Sequence, residues 1–343
     1  HELVRSGEFT LGKKVEEFEQ KFAGLCHTKY AVGVASGTDA LRLSLIALGL
    51  GPGDEVITTP VTFFATIGAI ATVGARPIFV DVGDDYNIDA RKIEKAITPR
   101  TKAILPVHWH GCPADMDQIM DIAQRHALDV VEDACMGLGG ELRGKRVGSF
   151  GDTGCFSLHP LKPINVWGDG GMIVTNSVEI KDKLQLLRNH GLVNRNECAF
   201  YAYNSRLDPL QAIVGSHLIQ DAEWIVEAKI KNAAQYDAAF STMPTIVVPP
   251  RDKNKKQVYH NYVVLAERRD ELVRYLLQQG VDAKIHYPRP QHLQKASAHW
   301  GYTQGNFPRA EDQANRVISL PVHQHLTPEQ VAYVIKKVGE FYA

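Results

Sequence analysis

Residues 156–162 read Phe156-Ser157-Leu158-His159-Pro160-Leu161-Lys162, and the glycine turn Gly168-Asp169-Gly170-Gly171 follows shortly after them. The first part of this stretch belongs to the apolar run 153–159, which predicts a buried strand. Pro160 and the glycines predict loop structure beyond the strand. Lys162 is therefore expected in a loop between the end of a strand and a tight turn.

Six further runs share the apolar, β-branched character of this strand. The seven predicted strands are Ala31–Ser36, Glu55–Pro60, Pro77–Val82, Ala103–His108, Asp129–Ala134, Thr153–His159 and Met172–Thr175. Helix-period stretches such as Asp39–Leu48 and Met116–His126 lie between most of them. Strands that alternate with helices predict an α/β fold with a mostly parallel seven-stranded sheet, covered by helices on both faces.

The length of 343 residues and a hydrophobic content of 44% favour one large core and a smaller second one. We predict a large domain over residues 1–215, followed by a bridging helix and a small α+β domain over residues 216–343. The bridge is the helical pattern Pro209–Phe240. The small domain contains a strand, a helix, a proline-rich loop and a closing helix, at Tyr262–Leu265, Asp270–Gln279, His286–His292 and Pro328–Phe341.

Charge and cysteine content narrow the class of protein. The 38 Lys and Arg residues balance 39 Asp and Glu residues without long blocks of either sign, which argues against a nucleic-acid partner. No apolar run has the length of a membrane span, and we expect no signal peptide. Five cysteines without metal-type spacing favour free thiols, and so a cytoplasmic location. Residues His1–Arg5 have the pattern of a helix interior, which predicts that the natural chain begins earlier.

A carboxylate that is distant in the sequence suggests a chemical role for Lys162. Asp133 closes the apolar run Val130-Val131-Glu132-Asp133, and ligands collect at that end of the strands in an open α/β sheet. A pyridoxal phosphate enzyme needs a lysine that forms a Schiff base and a carboxylate that keeps the pyridine nitrogen protonated. Taken singly, Asp133 is equally well explained as a helix cap, and Lys162 as a solvated loop residue.

Two earlier segments complete the pattern of a cofactor site. Ser36-Gly37-Thr38-Asp39 follows a strand and opens a helix, so its backbone N–H groups and the Thr38 hydroxyl can hold a phosphate. Phe63 follows another strand and can lie flat on a cofactor ring. A plain helix cap and core packing are the alternative explanations of these residues. The order of phosphate loop, aromatic, aspartate and lysine favours pyridoxal 5'-phosphate, with no metal.

The chain resembles the DegT-type sugar aminotransferases, which are pyridoxal phosphate enzymes of the aspartate aminotransferase fold, also called fold type I. The likeness extends over nearly the whole chain. The matching motifs are Ser6-Gly7-Glu8-Phe9-Thr10-Leu11-Gly12, Glu16-Glu17-Phe18, Ser36-Gly37-Thr38-Asp39-Ala40-Leu41, Thr62-Phe63-Phe64-Ala65-Thr66, Pro106-Val107-His108 with Gly111, Glu132-Asp133-Ala134, Ser157 with Lys162, Gly168-Asp169-Gly170-Gly171, Asn189-His190-Gly191, Asn204-Ser205-Arg206-Leu207, His286-Tyr287-Pro288 and Leu320-Pro321-Val322-His323.

The resemblance implies a role for each matching residue. Lys162 is the Schiff-base lysine and proton carrier, Asp133 pairs with the pyridine nitrogen, and Phe63 stacks on the ring. The phosphate is held by Gly37, Thr38 and Ser157. Asn204 matches an asparagine that reaches the phosphate of the neighbouring subunit, which implies a homodimer or larger assembly with shared active sites.

The resemblance also implies the reaction. The chain has a lysine where the dehydratase branch of the family has histidine, which favours transamination. The expected donor is L-glutamate, and the expected acceptor is a keto group of a nucleotide-linked sugar. Asp169 in the glycine turn favours C-3 of the sugar over C-4. Candidate substrate contacts are Arg206, His286, Tyr287 and His292, although loop histidines are commonly just solvated and an ion pair explains Arg206 equally well.

One residue departs from the family pattern. The family usually has glutamine or histidine three residues after the aspartate, where the side chain contacts the ring hydroxyl, and this chain has Met136. A thioether is a weak acceptor and cannot donate a hydrogen bond. We therefore expect a shifted spectrum and basicity of the lysine-bound cofactor.

Other functional classes fit less well. A nicotinamide dehydrogenase would need a third glycine at Leu142, after Gly137-Leu138-Gly139-Gly140. A metal hydrolase would need carboxylate partners for His108-Trp109-His110. The remaining alternatives are transamination of a keto-cyclitol such as an inosose, and a non-catalytic regulator on the same fold.

Overall fold

The computed structural model of the protein describes residues 2–343, so His1 of the predicted helix interior His1–Arg5 lies outside the described residues. The helices within this range are α1 (Glu2–Ser6), α2 (Lys13–Cys26), α3 (Gly37–Ala47), α4 (Phe64–Thr72), α5 (Ala90–Ala96), α6 (Met116–His126), α7 (Val178–Leu187), α8 (Pro209–Leu218), α9 (Ala222–Phe240), α10 (Arg269–Gln278), α11 (Pro308–Arg316) and α12 (Pro328–Tyr342). Short 3₁₀ helices lie at Trp109–Gly111, Ile219–Asp221, Gln291–Leu293 and Lys295–Trp300.

The strands are mostly short. They are β1 (Tyr30–Val34), β2 (Glu55–Thr58), β3 (Arg76–Phe79), β4 (Thr101–Ile104), β5 (Asp129–Asp133), β6 (Glu141–Leu142), β7 (Lys145–Arg146), β8 (Thr153–Ser157), β9 (Gly171–Thr175), β10 (Leu192–Asn194), β11 (Glu197–Cys198), β12 (Ile246–Val247), β13 (Lys255–Lys256), β14 (Tyr262–Ala266) and β15 (Val317–Leu320).

Seven strands form the main sheet in the order β1-β9-β8-β5-β4-β2-β3. Strand β9 runs antiparallel to both of its neighbours, and the other adjacent pairs are parallel. Each of the seven predicted runs supplies one strand. The predicted α/β class with a mostly parallel seven-stranded sheet is therefore confirmed.

The sheet is buried on both faces because its side chains alternate between two cores. Val131 packs with residues of α3 and α4, whereas its neighbour Val130 packs with residues of α5 and α6. A third core joins α2 to the β8–β9 end of the sheet, where Phe22 and Phe156 meet edge to face with ring centroids 5.2 Å apart. Burial on two faces explains why these strands read as continuous apolar runs.

A second, three-stranded sheet has the order β12-β14-β15 and packs against α9, α10 and α12. Tyr236, Phe240 and Tyr262 form its aromatic centre. The predicted helical stretch Pro209–Phe240 consists of two helices, because the chain tightens into a 3₁₀ turn at Ile219–Asp221. The predicted domain boundary at residue 215 falls within α8 and stays a prediction.

This topology gathers several chain segments at one edge of the main sheet. The carboxyl ends of β1, β5 and β8 all lie there, and each leads directly into a segment that we predict to bind a cofactor. No helix within residues 2–343 has the length and apolar character needed to cross a membrane.

Candidate active site

A cavity of about 290 Å³ opens at this edge of the sheet. Most of the residues predicted to bind cofactor or substrate line it. They are Gly37, Thr38, Phe63, Asp133, Ser157, Lys162, His286 and Tyr287, and Met136 and Asp169 line it as well.

One end of the cavity is built by the first turn of α3. The Ser36 hydroxyl caps the helix by accepting from the Asp39 amide at 3.0 Å. The amides of Gly37 and Thr38 donate to no atom of the described residues. A Cβ atom on Gly37 would lie 2.8 Å from the Ser157 Cβ, so only glycine allows this close approach. Two free N–H groups at the positive end of a helix form a site for an anion such as phosphate.

Asp133 lies deeper in the cavity, at the end of β5, and is 5% exposed. Its Oδ2 atom accepts from the Thr66 hydroxyl at 2.7 Å, and its Oδ1 atom accepts from the Cys135 amide at 3.2 Å. No cationic side chain of the described residues forms an ion pair with this carboxylate. A buried carboxylate without a positive partner fits a protonated ring nitrogen.

Lys162 lies in the loop after β8, where its amide donates to the His159 carbonyl at 2.8 Å. Burial lowers the pKa of Lys162, and the nearby Asp133 charge acts in the opposite direction. Its ammonium group forms no hydrogen bond or ion pair within residues 2–343. A lowered pKa increases the fraction of neutral amine, which is the nucleophilic form.

Aromatic side chains form one wall of the cavity. Phe63 is 46% exposed and its ring centroid lies 5.9 Å from that of Tyr287. Burial raises the pKa of Tyr287 to about 12, and the Asp133 charge adds to this effect. Tyr287 therefore keeps its proton at neutral pH and can donate a hydrogen bond.

The lining also includes Asn261 and His260, which the sequence did not identify as parts of the site. Asn261 donates from Nδ2 to His110 Nδ1 at 3.2 Å, and His286 Nδ1 lies 2.8 Å from the Ser319 hydroxyl. Burial lowers the pKa values of His110 and His260 well below the usual value, so both rings are neutral. Asn261 and His260 immediately precede β14, and no local motif marks them. Only the packing of the second sheet against the first brings them to the cavity.

Three predicted site residues do not line this cavity. His292 is 1% exposed, its Nε2 atom lies 3.0 Å from Glu311 Oε1, and its ring packs on Phe307. This packing accounts for the burial of His292, and its predicted substrate contact stays a prediction. Arg206 donates to Asn189 Oδ1 at 3.0 Å, and Asn204 is exposed.

The histidine pair considered as a metal site has a structural role instead. His108 accepts from the Ala114 amide at Nδ1, so the proton on Nε2 is donated to Glu132 at 2.9 Å. Glu132 also accepts from the amides of Gly148, Phe150 and Gly151. The described residues contain no cluster of histidine, cysteine and acidic residues able to hold a metal ion.

The residues of the cavity fit the phosphate, the ring nitrogen and the aldehyde of pyridoxal 5'-phosphate. The free amides of α3 suit the phosphate, the uncompensated Asp133 carboxylate suits the ring nitrogen, and Lys162 lies in the same cavity for the aldehyde. Phe63 offers an exposed aromatic face to the ring.

Comparison with known proteins agrees with this fit. The profile of the DegT/DnrJ/EryC1/StrS aminotransferase family matches residues 1–339. The chain is 42% identical to a pleiotropic regulatory protein of Geobacillus stearothermophilus, over 99% of this chain and 92% of that protein. It is 41% identical to the dTDP-3-amino-3,4,6-trideoxy-alpha-D-glucose transaminase of Streptomyces venezuelae, over 99% and 90% of the two chains.

Solved structures extend the likeness to the fold. The crystal structure of S. venezuelae DesV in complex with a ketimine intermediate superposes with a TM-score of 0.96 at 41% identity, covering 99% of this chain and 92% of that one. The predicted aspartate aminotransferase fold is therefore confirmed. The chain belongs to the DegT/DnrJ/EryC1/StrS aminotransferase family, whose members include sugar aminotransferases that use pyridoxal 5'-phosphate.

Proposed function

We propose that the protein is a pyridoxal phosphate-dependent aminotransferase that moves an amino group from L-glutamate to a keto group of a nucleotide-linked sugar. The observation that carries this proposal is the meeting of Lys162 with an uncompensated, buried Asp133 in one cavity. We favour C-3 of the sugar, because the S. venezuelae relative is named as a transaminase of a 3-amino sugar.

In this proposal pyridoxal phosphate supplies an electron sink next to the carbon that loses its proton. Asp133 would accept a hydrogen bond from the ring nitrogen and keep it protonated. The Thr66 hydroxyl and the Cys135 amide hold the carboxylate in place. Lys162 would hold the cofactor at rest, and its freed amine would move the proton between the substrate carbon and the cofactor in each half of the reaction.

The remaining cavity residues position the reacting groups. Gly37, Thr38 and Ser157 would hold the phosphate, so that the cofactor would stay bound while Lys162 is released from it. Phe63 would cover one ring face, and Tyr287 and His286 would offer hydrogen bonds to the sugar. Asp169 lines the same cavity.

We also propose that two copies of the chain share their active sites. Asn204 is exposed and does not line the cavity, and exposed apolar residues lie near it in the chain, among them Tyr201, which is 98% exposed, and Leu210. A partner subunit would cover this surface and receive Asn204 and Arg206 at its own site. The five free thiols support a cytoplasmic location.

The visible absorbance spectrum of the purified holoprotein tests the proposed function. L-Glutamate should remove the band of the lysine-bound cofactor, produce the pyridoxamine form and release 2-oxoglutarate. A Lys162→Ala variant reconstituted with cofactor should not complete this conversion. A wild-type spectrum that glutamate leaves unchanged would contradict the proposed donor.

A non-catalytic regulator is the second candidate, because the G. stearothermophilus relative is named as a regulatory protein. Such a regulator would retain its cofactor band after addition of glutamate or any other amino donor. The retention of both Lys162 and Asp133 favours catalysis.

A further inference from the structure

Ser319 is a buried polar residue of β15, on the face of the strand that is turned toward the main sheet. Side chains alternate along this strand, so that Ile318 and Leu320 belong to the core of the second sheet, whereas Val317 belongs to a core of the main sheet. Ser319 shares the face of Val317 and is 4% exposed. A hydroxyl group buried at such a position is unfavourable unless it forms a hydrogen bond.

The hydroxyl group of Ser319 has one partner. Its Oγ atom lies 2.8 Å from His286 Nδ1, and no other atom within residues 2–343 forms a hydrogen bond with it. Two backbone bonds fix the position of the serine. The Ser319 amide donates to the Lys284 carbonyl at 2.8 Å, and the Lys284 amide donates to the Ser319 carbonyl at 3.0 Å. Ser319 is therefore held beside the chain segment that leads to His286.

The imidazole ring of His286 is neutral at neutral pH. Burial lowers the pKa of His286 below its usual value, and the charges of Lys284 and Lys162 act in the same direction. A neutral imidazole carries one proton, and the hydrogen bond at one ring nitrogen decides which nitrogen carries it. The bond to Ser319 therefore determines what the other nitrogen, Nε2, offers to a ligand.

Only one direction of this hydrogen bond satisfies both groups. If the Ser319 hydroxyl donates to Nδ1, its proton is paired and the ring proton lies on Nε2. If Nδ1 donates to the hydroxyl instead, the hydroxyl proton has no acceptor among the described residues, at a residue that is 4% exposed. A buried donor without an acceptor is destabilising. The first direction is therefore favoured.

The Nε2 atom of His286 is accessible to a molecule bound in the active site. His286 lines the reaction cavity together with Lys162, and it also lines a neighbouring cavity of about 710 Å³. In the part of the chain that the structure describes, Nε2 has no hydrogen-bond partner, and it is not among the enclosed polar atoms. A proton on Nε2 is thus presented to a ligand beside Lys162.

We propose that Ser319 holds His286 in the tautomer with the proton on Nε2, and that His286 donates a hydrogen bond from Nε2 to an oxygen atom of the acceptor sugar. This inference rests on the proposed function. Ser319 is a positioning residue, because it acts through His286 and touches no reacting atom. An oxygen without a proton of its own, such as a keto or ether oxygen, is matched by this donor and would not be matched by a bare nitrogen.

Nitrogen-15 NMR of the histidine-labelled holoenzyme tests the tautomer, and His286→Gln assigns the signals by their loss. In the wild type, His286 Nδ1 should have the chemical shift of an unprotonated ring nitrogen, and Nε2 that of a protonated one. Ser319→Ala should bring the two shifts closer together, because water at Nδ1 can donate or accept. Ser319→Thr keeps the hydroxyl and should keep the wild-type shifts. The matched control is Ser149→Ala, which removes a buried hydroxyl that donates to the Arg146 carbonyl, and it should leave the shifts unchanged.

A comparison of two substrates tests the contact with the sugar. The amino sugar in the name of the S. venezuelae relative, dTDP-3-amino-3,4,6-trideoxy-alpha-D-glucose, should convert the lysine-bound cofactor to the pyridoxamine form in the reverse reaction. Ser319→Ala should raise the concentration of this sugar that half-converts the cofactor by about 3- to 10-fold, because an oriented hydrogen bond is lost. The corresponding glutamate concentration should rise less. Ser319→Thr should retain the wild-type value for the sugar.

The two experiments separate this proposal from its alternatives. A proton on Nδ1 in the wild type, or a tautomer that Ser319→Ala leaves unchanged, would overturn the role of Ser319. An equal rise for glutamate and the amino sugar, in a variant with the wild-type unfolding temperature, would refute the contact with the sugar. If glutamate converts the cofactor and the amino sugar does not, the contact with a C-3 sugar is refuted, and the NMR spectra decide the role of Ser319. A tautomer that depends on Ser319 in a protein whose cofactor spectrum responds to neither substrate would support the positioning role and contradict the aminotransferase.

Discussion

Thr66 donates a hydrogen bond to Asp133, the carboxylate that we propose as the partner of the ring nitrogen. Asp133→Asn removes the charge that would keep the ring nitrogen protonated, so we expect the rate of the glutamate half-reaction to fall by about 100-fold or more. Thr66→Val removes one hydrogen bond to the carboxylate and should lower the rate of the same half-reaction about tenfold. Stopped-flow absorbance measures both rates. The control is Thr62→Val, because the Thr62 hydroxyl contacts Thr66 and not Asp133. An Asp133→Asn enzyme as fast as the wild type would refute this role.

Lys229 of α9, which is 6% exposed and forms no ion pair or hydrogen bond within residues 2–343, leads to a prediction about stability and pH. Its pKa of about 8 in the folded protein is below its ordinary value of 10.5, so the folded state disfavours the charged form. At pH 7 the lysine is charged in both the folded and the unfolded state, and burial of the charge lowers the free energy of unfolding by its full amount, about 3 kcal/mol. As the pH rises from 8 to 10.5, the folded state loses the proton first, and this destabilisation disappears.

Lys229→Met should therefore be more stable than the wild type at pH 7, and the difference should shrink toward pH 10. Urea denaturation at several pH values measures it. The cavity of about 710 Å³ that Lys229 lines contains further titratable groups that are present in both proteins and cancel in the difference, namely His260, Asp282, Lys284, His286, His323, Glu329 and Tyr333. Lys231→Met should change the stability by less than about 0.5 kcal/mol at any pH. A difference that stays constant with pH would contradict a lowered pKa.

At the scale of single residues, the sequence predicted those side chains whose neighbours form a motif. Lys162, Asp133 and Gly37 each lie at the junction of a strand with a loop or helix, and the structure places all three at one cavity. Asn261 and Lys229 have no such local signal, because a helical or pre-strand position does not reveal what packs against it. His292 was predicted from its loop, but the loop folds inward onto Phe307.

At the scale of elements, the close contact between α3 and β8 gives a prediction about cofactor retention. Gly37→Ala would place its Cβ atom 2.8 Å from the Ser157 Cβ and 3.1 Å from the Cys135 Sγ. The helix must then move away from the strand, and its amides lose their position at the proposed phosphate site. We expect the dissociation constant of pyridoxal phosphate to rise by about tenfold or more, as measured by equilibrium dialysis.

The matched control for this change is Gly24→Ala in α2, where a new Cβ atom meets nothing within 4 Å. That variant should bind the cofactor as the wild type does, and it should be more stable by about 0.5–1 kcal/mol because alanine favours the helix. If Gly37→Ala retained its cofactor equally well, close packing of α3 on β8 would not be needed for the phosphate site.

Element boundaries were predictable where caps and periodicity agreed. The helix Met116–His126 has the predicted bounds, because the Asp115 side chain caps its start and Ala127 adopts the left-handed conformation at its end. The break at Ile219–Asp221 was missed, since no proline or glycine marks it. Two-residue strands such as β6 and β13 were also missed, because their pairing depends on segments more than a hundred residues apart.

At the scale of the whole molecule, the two sheets are held together by contacts that no local pattern predicts. Asp81, which follows β3, accepts from the Ala310 amide at 3.0 Å at the start of α11. The Gln291 amide donates to the Pro60 carbonyl at 2.8 Å, and the Gln291 side chain donates to the Thr62 carbonyl at 2.7 Å. These bonds fix the loop that carries His286 and Tyr287 over the carboxyl end of β2, which is how the second sheet helps to form the cavity.

Sharing of active sites between two subunits can be tested by complementation. Lys162→Ala and Asn204→Ala should each be nearly inactive as homodimers, because one lacks the proton carrier and the other lacks the phosphate contact given to its partner. A mixed dimer has one site with both residues intact and one site with neither. Random pairing of co-expressed chains makes about half of the dimers mixed, so about a quarter of the wild-type activity should return. Co-expression of Lys162→Ala with Asp133→Asn is the control, and it should restore nothing, because both residues belong to the same subunit's site. If both pairs of chains restored equal activity, or if neither did, Asn204 would not serve the partner's site.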